Sequence, residues 1–158
     1  MATKVEGLDR LKRKLRRFPE IAREQIARAM EQSAQEVVEM ARRLAPVDDG
    51  DLRDSIGWSW YGAPQGSIVL GEVRPEGSRG AGNLSIVIYA GDDRAWYARF
   101  VEFGTNAHVN GGIFAGTQHP GTRAQPFFYP AWRAMRKRAK SRVSRAVRAT
   151  AKKVAAGG

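Results

Sequence analysis

The chain contains no cysteine, which excludes disulfide bonds and thiolate metal sites and fits assembly in a reducing cytoplasm. It has two histidines, His108 and His119, with no carboxylate near them in the sequence, whereas a zinc site needs three or four ligands. We therefore expect no metal and no other cofactor. No run of about eighteen apolar residues occurs, and residues 1–17 lack the apolar core of a secretory signal. Neither a membrane span nor a membrane partner is predicted.

Acidic residues are missing from the last third of the chain. The net charge of +11 arises entirely after Glu102, because residues 103–158 carry 11 of the 27 Lys and Arg residues and none of the 16 Asp and Glu residues. Most of these bases lie between Arg133 and Lys153. A basic helix of this kind can track phosphates or face an acidic protein, and its binding to nucleic acid would weaken with salt. The residues predicted to make such a contact are Arg136, Lys137, Lys140, Arg145 and Arg148.

Motifs for catalysis are missing as well. The chain has no cysteine nucleophile and no serine in a nucleophile-elbow pattern. Four carboxylates between Asp48 and Asp54 resemble the start of a calcium loop, but Ser59 stands where that loop needs a bidentate glutamate. The glycines between residues 77 and 82 lack the spacing of a phosphate-binding loop. We expect no enzyme activity, and acid–base catalysis by carboxylates that meet in space is the weaker alternative.

Apolar residues recur at helical spacing in the first part of the chain. From Val5 to Phe18 they repeat every three or four positions, which predicts a short helix over residues 1–17. Pro19 is predicted to interrupt it, because proline lacks an amide donor and clashes with the preceding turn. A longer helix with a wide apolar stripe, of the kind that covers a sheet, is predicted from Ile21 to Leu44.

Two short helices are predicted from their end signals. Asp48 or Asp49 could cap a helix that ends at Ser55, because a carboxylate accepts hydrogen bonds from free amides and complements the helix dipole. A second helix is predicted from Arg94 to Phe103, with its aromatic residues packed inside and Gly104 as its C-cap.

After Ile56 the apolar pattern changes towards the period of two that is typical of strands. Three strands are predicted over Trp58–Tyr61, Ser67–Val73 and Leu84–Tyr89, arranged as a meander. A glycine-rich loop over residues 76–83 joins the last two of them.

The remainder of the chain is predicted as a loop and a helix. Residues 105–125 are rich in glycine and have no period, so they are predicted to be a mobile loop that is functional or orders on binding. The last helix should start between Pro126 and Pro130. The fold class is α+β: a single domain with an α+β core over residues 18–132 and a basic C-terminal helix over residues 133–158 that frays at its end. A long N-terminal helix and that basic helix pack on a small antiparallel sheet of about three to four strands.

Three segments, taken in order, resemble the signatures of a known family. Residues 45–56 read APVDDGDLRDSI, residues 96–105 read WYARFVEFGT, and residues 125–131 read QPFFYPA. They are similar to APVDTG with LRxSI, YAxxxExGT and RPFxxPA of the tail-component family of long-tailed bacteriophages of the siphophage type, which are tail completion or head–tail joining neck proteins. Asp49 and Gln125 depart from the family pattern, and the second departure removes a cation that could pair with a neighbouring subunit.

The resemblance implies a structural virion protein of the phage neck. Such a protein would form a hexameric homo-oligomer ring that completes the tail and joins it to the head connector, without catalysis or cofactor. Its implied partners are the head-connector or stopper protein, the tail terminator or tail-tube proteins, and DNA passing through the channel. It would be assembled in the bacterial host cytoplasm and located in the virion.

The segment that leads into the long loop is the predicted subunit interface. A ring needs a heterologous interface between two different surfaces of one chain, and a loop with little core of its own suits insertion against a neighbour. A surface salt bridge is the alternative for Glu102. A basic accessory protein that binds nucleic acid through its C-terminal helix is the alternative for the whole chain. The predicted interface residues are Glu102, Phe103, Gly104, Thr105, His108, His119, Arg123 and Phe127.

Overall fold

A computed structural model describes residues 8–75 and 84–156, with side chains from Glu20 onward apart from Val154 and Ala155. The predicted start of the first helix, the predicted loop over residues 76–83 and the last two residues of the predicted frayed end lie outside this part of the chain. The described residues form an α+β fold, as predicted. Two long helices pack against each other and against a small antiparallel sheet.

The first helix, α1, runs from Leu8 to Leu44 without a break. The predicted interruption at Pro19 is wrong. A proline inside a helix forfeits one hydrogen bond, but the residues on both sides of it are rich in Leu, Lys, Arg, Glu and Ala, which favour helix strongly. The buried face of α1 follows the helical period and contains Met30, Ala34, Val37, Val38 and Ala41.

The sheet has the order β1–β3–β2, with β1 at Gly57–Trp60, β2 at Ile68–Val73 and β3 at Ile86–Ala90. Both outer strands are antiparallel to β3. The three predicted strands are confirmed, but the predicted meander is wrong, because β3 lies between its two predecessors. This strand is the most apolar of the three, and its residues Ile86, Ile88 and Ala90 are fully buried. Because it lies in the centre of the sheet, its backbone forms hydrogen bonds with a neighbouring strand on both edges.

The indoles of β1 fix the sheet on α1. Trp58 Nε1 donates a hydrogen bond to Gln35 Oε1 at 3.0 Å, and Trp60 Nε1 donates to Glu31 Oε1 at 3.1 Å. Alternate residues of a strand point to one face, so these two contacts define the face that the helices cover.

The last helix, α4, runs from Phe128 to Ala155 and begins within the predicted range. It packs along α1 and on β2. A polar contact joins the two helices: the guanidinium of Arg142 donates to Glu36 Oε1 at 2.6 Å and to Ser33 Oγ at 3.2 Å. Arg138 Nε lies 3.3 Å from the other oxygen of Glu36. Both arginines are therefore turned towards α1 and away from the outer face of α4.

Two short helices connect these layers. Helix α2, Asp51–Ser55, follows Gly50, and the Asp49 carboxylate accepts a hydrogen bond from the Asp51 amide at 3.1 Å. The predicted cap by Asp48 or Asp49 is wrong: the N-cap is Gly50, with a φ of +99° and no side-chain cap, and the Asp49 contact is a local turn that precedes it. Helix α3 spans Ala98–Phe103, four residues shorter at its start than predicted, because the Asp92 carboxylate holds the amides of residues 94 and 95 in a turn.

Candidate assembly interface

Residues 105–125, which we call the arm, form a β-hairpin. At its base the backbones of Thr105 and Thr122 exchange two hydrogen bonds of 3.0 and 3.1 Å, and their hydroxyls lie 3.0 Å apart. Further out, strand β4 at His108–Val109 pairs with β5 at Gln118–His119, and a 3-10 turn over Gly112–Phe114 closes the tip. The prediction of a segment without regular structure is wrong. Strands of two residues are too short to produce a period in the sequence.

The outer half of the arm is exposed and lies outside the core formed by the described residues. Between residues 106 and 118 every residue except Asn110 is exposed. The tip is nevertheless apolar: Ile113 is 96% exposed, Phe114 67% and Val109 58%. Clustered exposed apolar side chains are typical of a surface that binds another molecule.

Glu102 joins the base of the arm to the start of α4. Its Oε2 accepts hydrogen bonds from the amides of Phe127 and Phe128 at 2.8 and 2.9 Å, and its Oε1 accepts one from the amide of Tyr129 at 3.0 Å. The first amides of a helix have no partner within the helix, and a carboxylate there also complements the helix dipole. Glu102 therefore caps α4 from outside the helix.

Gly104 makes the sharp turn between α3 and the arm. Its φ of +71° lies in the region that favours glycine, and its amide donates to the Phe100 carbonyl at 2.8 Å. A Cβ at this position would lie 2.6 Å from the Thr122 carbonyl oxygen and 2.8 Å from the Ala124 amide nitrogen. The predicted C-cap is confirmed, and the close approach means that only glycine lets both sides of the arm meet here.

The aromatic side chains of the α3 region point outwards. Trp96, Phe100 and Phe103, which we call the aromatic face, are 65%, 44% and 55% exposed. The rings of Trp96 and Phe100 meet edge to face at 5.9 Å. The prediction that these aromatic residues pack inside is wrong, because the buried positions of this segment are taken by Ala95, Ala98 and Glu102.

A groove lies between the aromatic face and the base of the arm. It is open, has a volume of about 430 Å³, and is lined by Arg99, Phe100, Phe103, Gly104 and Thr105.

A family described as "Bacteriophage HK97-gp10, putative tail-component" matches residues 9–104, which is more than half of the chain. The protein belongs to this family. It is a bacteriophage tail component, and its place is in the virion. No match was found among curated proteins or among solved structures. The family match begins in α1 and ends at Gly104, so it includes the aromatic face, while the arm, α4 and the third sequence motif lie beyond it.

In this tail component, two of the predicted interface residues lie inside the protein. Phe127 is fully buried in the core, and Glu102 is 3% exposed. The prediction that these two side chains touch a neighbour is therefore wrong, and so is the alternative of a surface salt bridge for Glu102. The sequence did not reveal the capping role, because the three amides that Glu102 binds follow it by 25 to 27 positions.

The other predicted interface residues lie on or beside the arm. Phe103 and Arg123 are exposed, and Gly104 and Thr105 form the base. His108 and His119 are cross-strand partners whose rings stack at 4.8 Å, and His119 Nδ1 accepts a hydrogen bond from the Gly121 amide. Among the described residues, no three His, Asp or Glu side chains meet in a group that could hold a metal ion. Subunit contact by these residues stays a prediction.

Carboxylates surround the start of the aromatic face. Asp51 lies 3.2 Å from Arg94, and Asp92 and Asp93 precede Trp96 in the chain. Partial burial raises the pKa of the Tyr97 phenol, and the charges of Asp49, Asp51 and Asp48 raise it further. We call Asp48, Asp49, Asp51, Asp92 and Asp93 the acidic rim; they lie near Tyr97 or just before Trp96 in the chain, together with Arg94.

The outer face of α4 is basic. The five bases predicted to contact phosphate or an acidic partner are all exposed. Among the described residues, no helix is long and apolar enough to cross a membrane. Contact with DNA or with an acidic protein stays a prediction. The five bases are Arg136, Lys137, Lys140, Arg145 and Arg148.

Proposed function

We propose that this tail component is a structural subunit of the phage neck, which forms a homo-oligomeric ring, completes the tail and joins it to the head connector. The observation that carries the proposal is the arm, a folded hairpin whose apolar tip has no partner within the described part of the chain. A monomer gains nothing from exposing Ile113 and Phe114 on such a projection.

The rest of the surface supports a closed ring. In a heterologous interface, one surface of a subunit contacts a different surface of the next subunit. Such contacts close into a ring when the rotation from one subunit to the next divides a full turn evenly. The arm and the aromatic face are two such surfaces, and both are exposed. The proposed partners above and below the ring are the head-connector or stopper protein and the tail terminator or tail-tube proteins. We propose six copies per ring.

Removing the arm tests the proposal. Residues 106–121 are replaced by Asn-Gly, a pair that closes a two-residue hairpin between strands, so that Thr105 and Thr122 keep their pairing. We expect an unchanged circular dichroism spectrum, because the removed residues do not pack on the core. We also expect the ring to be lost in native mass spectrometry and light scattering. A control variant, Arg148→Gln, alters an exposed base of α4 and should leave the ring intact. A ring that survives loss of the arm contradicts the proposal.

A second candidate function is the binding of nucleic acid through α4, favoured by its exposed bases and by the absence of any acid in the helix. The variant Arg136→Gln, Lys137→Gln, Lys140→Gln removes three of these charges. If α4 binds duplex DNA, affinity should fall steeply with salt, and the variant should lower the slope by two to three. Equal binding by this variant and by Glu39→Gln, which changes an exposed residue of α1, would contradict the second candidate.

A further inference from the structure

We infer that the arm tip of one copy docks on the aromatic face and groove of a second copy of this chain. The inference rests on the proposed function, and it names the two surfaces that meet in the ring.

The arm tip has the chemistry of an inserted anchor. Ile113 and Phe114 lie together in the 3-10 turn that closes the hairpin, and Val109 lies on the adjoining strand. The hairpin is held by its own hydrogen bonds, among them Asn110 N–H to the Thr117 carbonyl at 2.8 Å and Asn110 Nδ2 to Thr117 Oγ1 at 2.8 Å. An apolar anchor on a preformed support loses little conformational entropy when it binds.

The aromatic face has the chemistry of the receiving surface. Trp96, Phe100 and Phe103 present ring surface to solvent, and the groove beside them is lined by the last two of these rings together with Arg99 and the arm base. Aromatic side chains around a concave site are typical of the residues that dominate binding at protein interfaces.

The arm of the same chain leaves this surface open. The arm leaves α3 at Gly104, and the Thr105–Thr122 bridge and the Gln125 amide, which donates to the Val101 carbonyl at 2.8 Å, hold its base there. With the base fixed in this way, the tip stays exposed, and so does the aromatic face. Both surfaces are exposed among the described residues of one copy, whereas a second copy would supply the missing half of each.

Charge distribution also favours a second copy as the occupant. The arm contains Arg123 and no carboxylate. The aromatic face is bordered by the acidic rim, in which Asp49 and Asp93 are exposed. Residues 48–54 and 92–99, which lie around the aromatic face, carry six carboxylates and three arginines, and one of these arginines, Arg94, lies 3.2 Å from Asp51. Negative charge is in excess there, whereas the arm carries one arginine and no carboxylate, so the charges of the two regions are opposite in sign.

Disulfide trapping tests the docking, because the natural chain has no cysteine that could interfere. One sample carries Ile113→Cys and a second carries Phe100→Cys; the full-length proteins are mixed at high concentration under mild oxidation. We expect a disulfide-linked heterodimer to form at least tenfold faster than with the control pair Ile113→Cys and Ala134→Cys, in which the second cysteine is exposed on α4. Equal rates for the two pairs would overturn the inference.

A second pair of variants tests the docking without the use of cysteine. Ile113→Ser with Phe114→Ser removes the anchor from exposed positions, and Val69→Ser removes an apolar side chain of β2 that is 58% exposed. The first variant should raise the concentration needed for self-association at least tenfold, whereas the second should not change it. Loss of association in both variants, or in neither, contradicts docking through the tip.

The same experiments separate this inference from the proposed function. If the chain carrying both Ile113→Cys and Phe100→Cys gives trapped dimers or open chains but no closed ring, the docking stands and the ring is wrong. If native mass spectrometry finds a ring of the natural chain while the trapping rates equal those of the control pair, the ring stands and the docking is wrong.

Discussion

Single residues connect the arm to the core. Glu102 holds three amides at the start of α4, and two positions later Gly104 turns the chain into the arm. The sequence motif pointed to both residues, but it predicted a surface role for the carboxylate. The partner amides come from a distant segment of the chain, so no local pattern relates them to Glu102. Their pairing depends on how α3 and α4 pack.

We predict that Glu102→Gln destabilises the fold by about 1 to 3 kcal/mol, because the amide group keeps one acceptor, loses the negative charge and places an NH2 group against backbone amides. Urea unfolding measures the change. Glu24→Gln is the matched control: that side chain is 60% exposed and, among the described residues, pairs with Arg28 on the same helix, so its loss should cost at most about 0.5 kcal/mol. Equal losses for the two variants would show that the cap contributes nothing.

We predict that Gly104→Ala destabilises the protein by roughly 1 to 3 kcal/mol, because its backbone conformation is essentially confined to glycine and the added Cβ would meet the Thr122 carbonyl. Gly111→Ala is the control, with a φ of −104° and open space around its Cβ position. Thermal unfolding should separate the two variants. A Gly104→Ala protein as stable as Gly111→Ala would contradict the geometry of the arm base.

At the scale of helices and strands, local patterns predicted which elements form. Contacts between distant segments decided the order of the strands and which side of each helix faces the core. The periods of α1 and of the three strands are strong because each element buries one face. The strand order was missed, since pairing of β3 with both β1 and β2 is a choice among distant partners. The aromatic face was misread because spacing reveals an apolar stripe and not the side on which the core lies.

The ion pair between Glu36 of α1 and Arg142 of α4 leads to a prediction about the packing of these two helices. Arg142 is 15% exposed and Glu36 22%, so their ion pair is partly shielded from water. We predict that Arg142→Ala lowers the free energy of unfolding by about 1 to 3 kcal/mol, less than for a fully buried pair. Arg148→Ala, at an exposed position of the same helix, should change it by no more than about 0.5 kcal/mol. A double-mutant cycle with Glu36→Gln measures the coupling, and a coupling of zero would refute the pairing.

At the scale of the whole molecule, the charge and the exposed apolar surface lie in different places. The basic face belongs to α4, the aromatic face to the α3 region, and the apolar tip to the arm that follows α3. The proposed ring therefore has two kinds of surface. The apolar surfaces would contact neighbouring subunits, and the basic face would contact DNA or an acidic partner. The family match includes the aromatic face but neither the arm nor α4.

Particle assembly tests the account most directly. A phage or prophage that lacks this gene is supplied either with the natural chain or with the chain whose arm residues 106–121 are replaced by Asn-Gly, and the particles are examined by negative-stain electron microscopy. If the arm builds the neck ring, the natural chain should give complete virions, and the shortened chain should give separate DNA-filled heads and tails. Normal numbers of tailed, infectious virions with the shortened chain would contradict it.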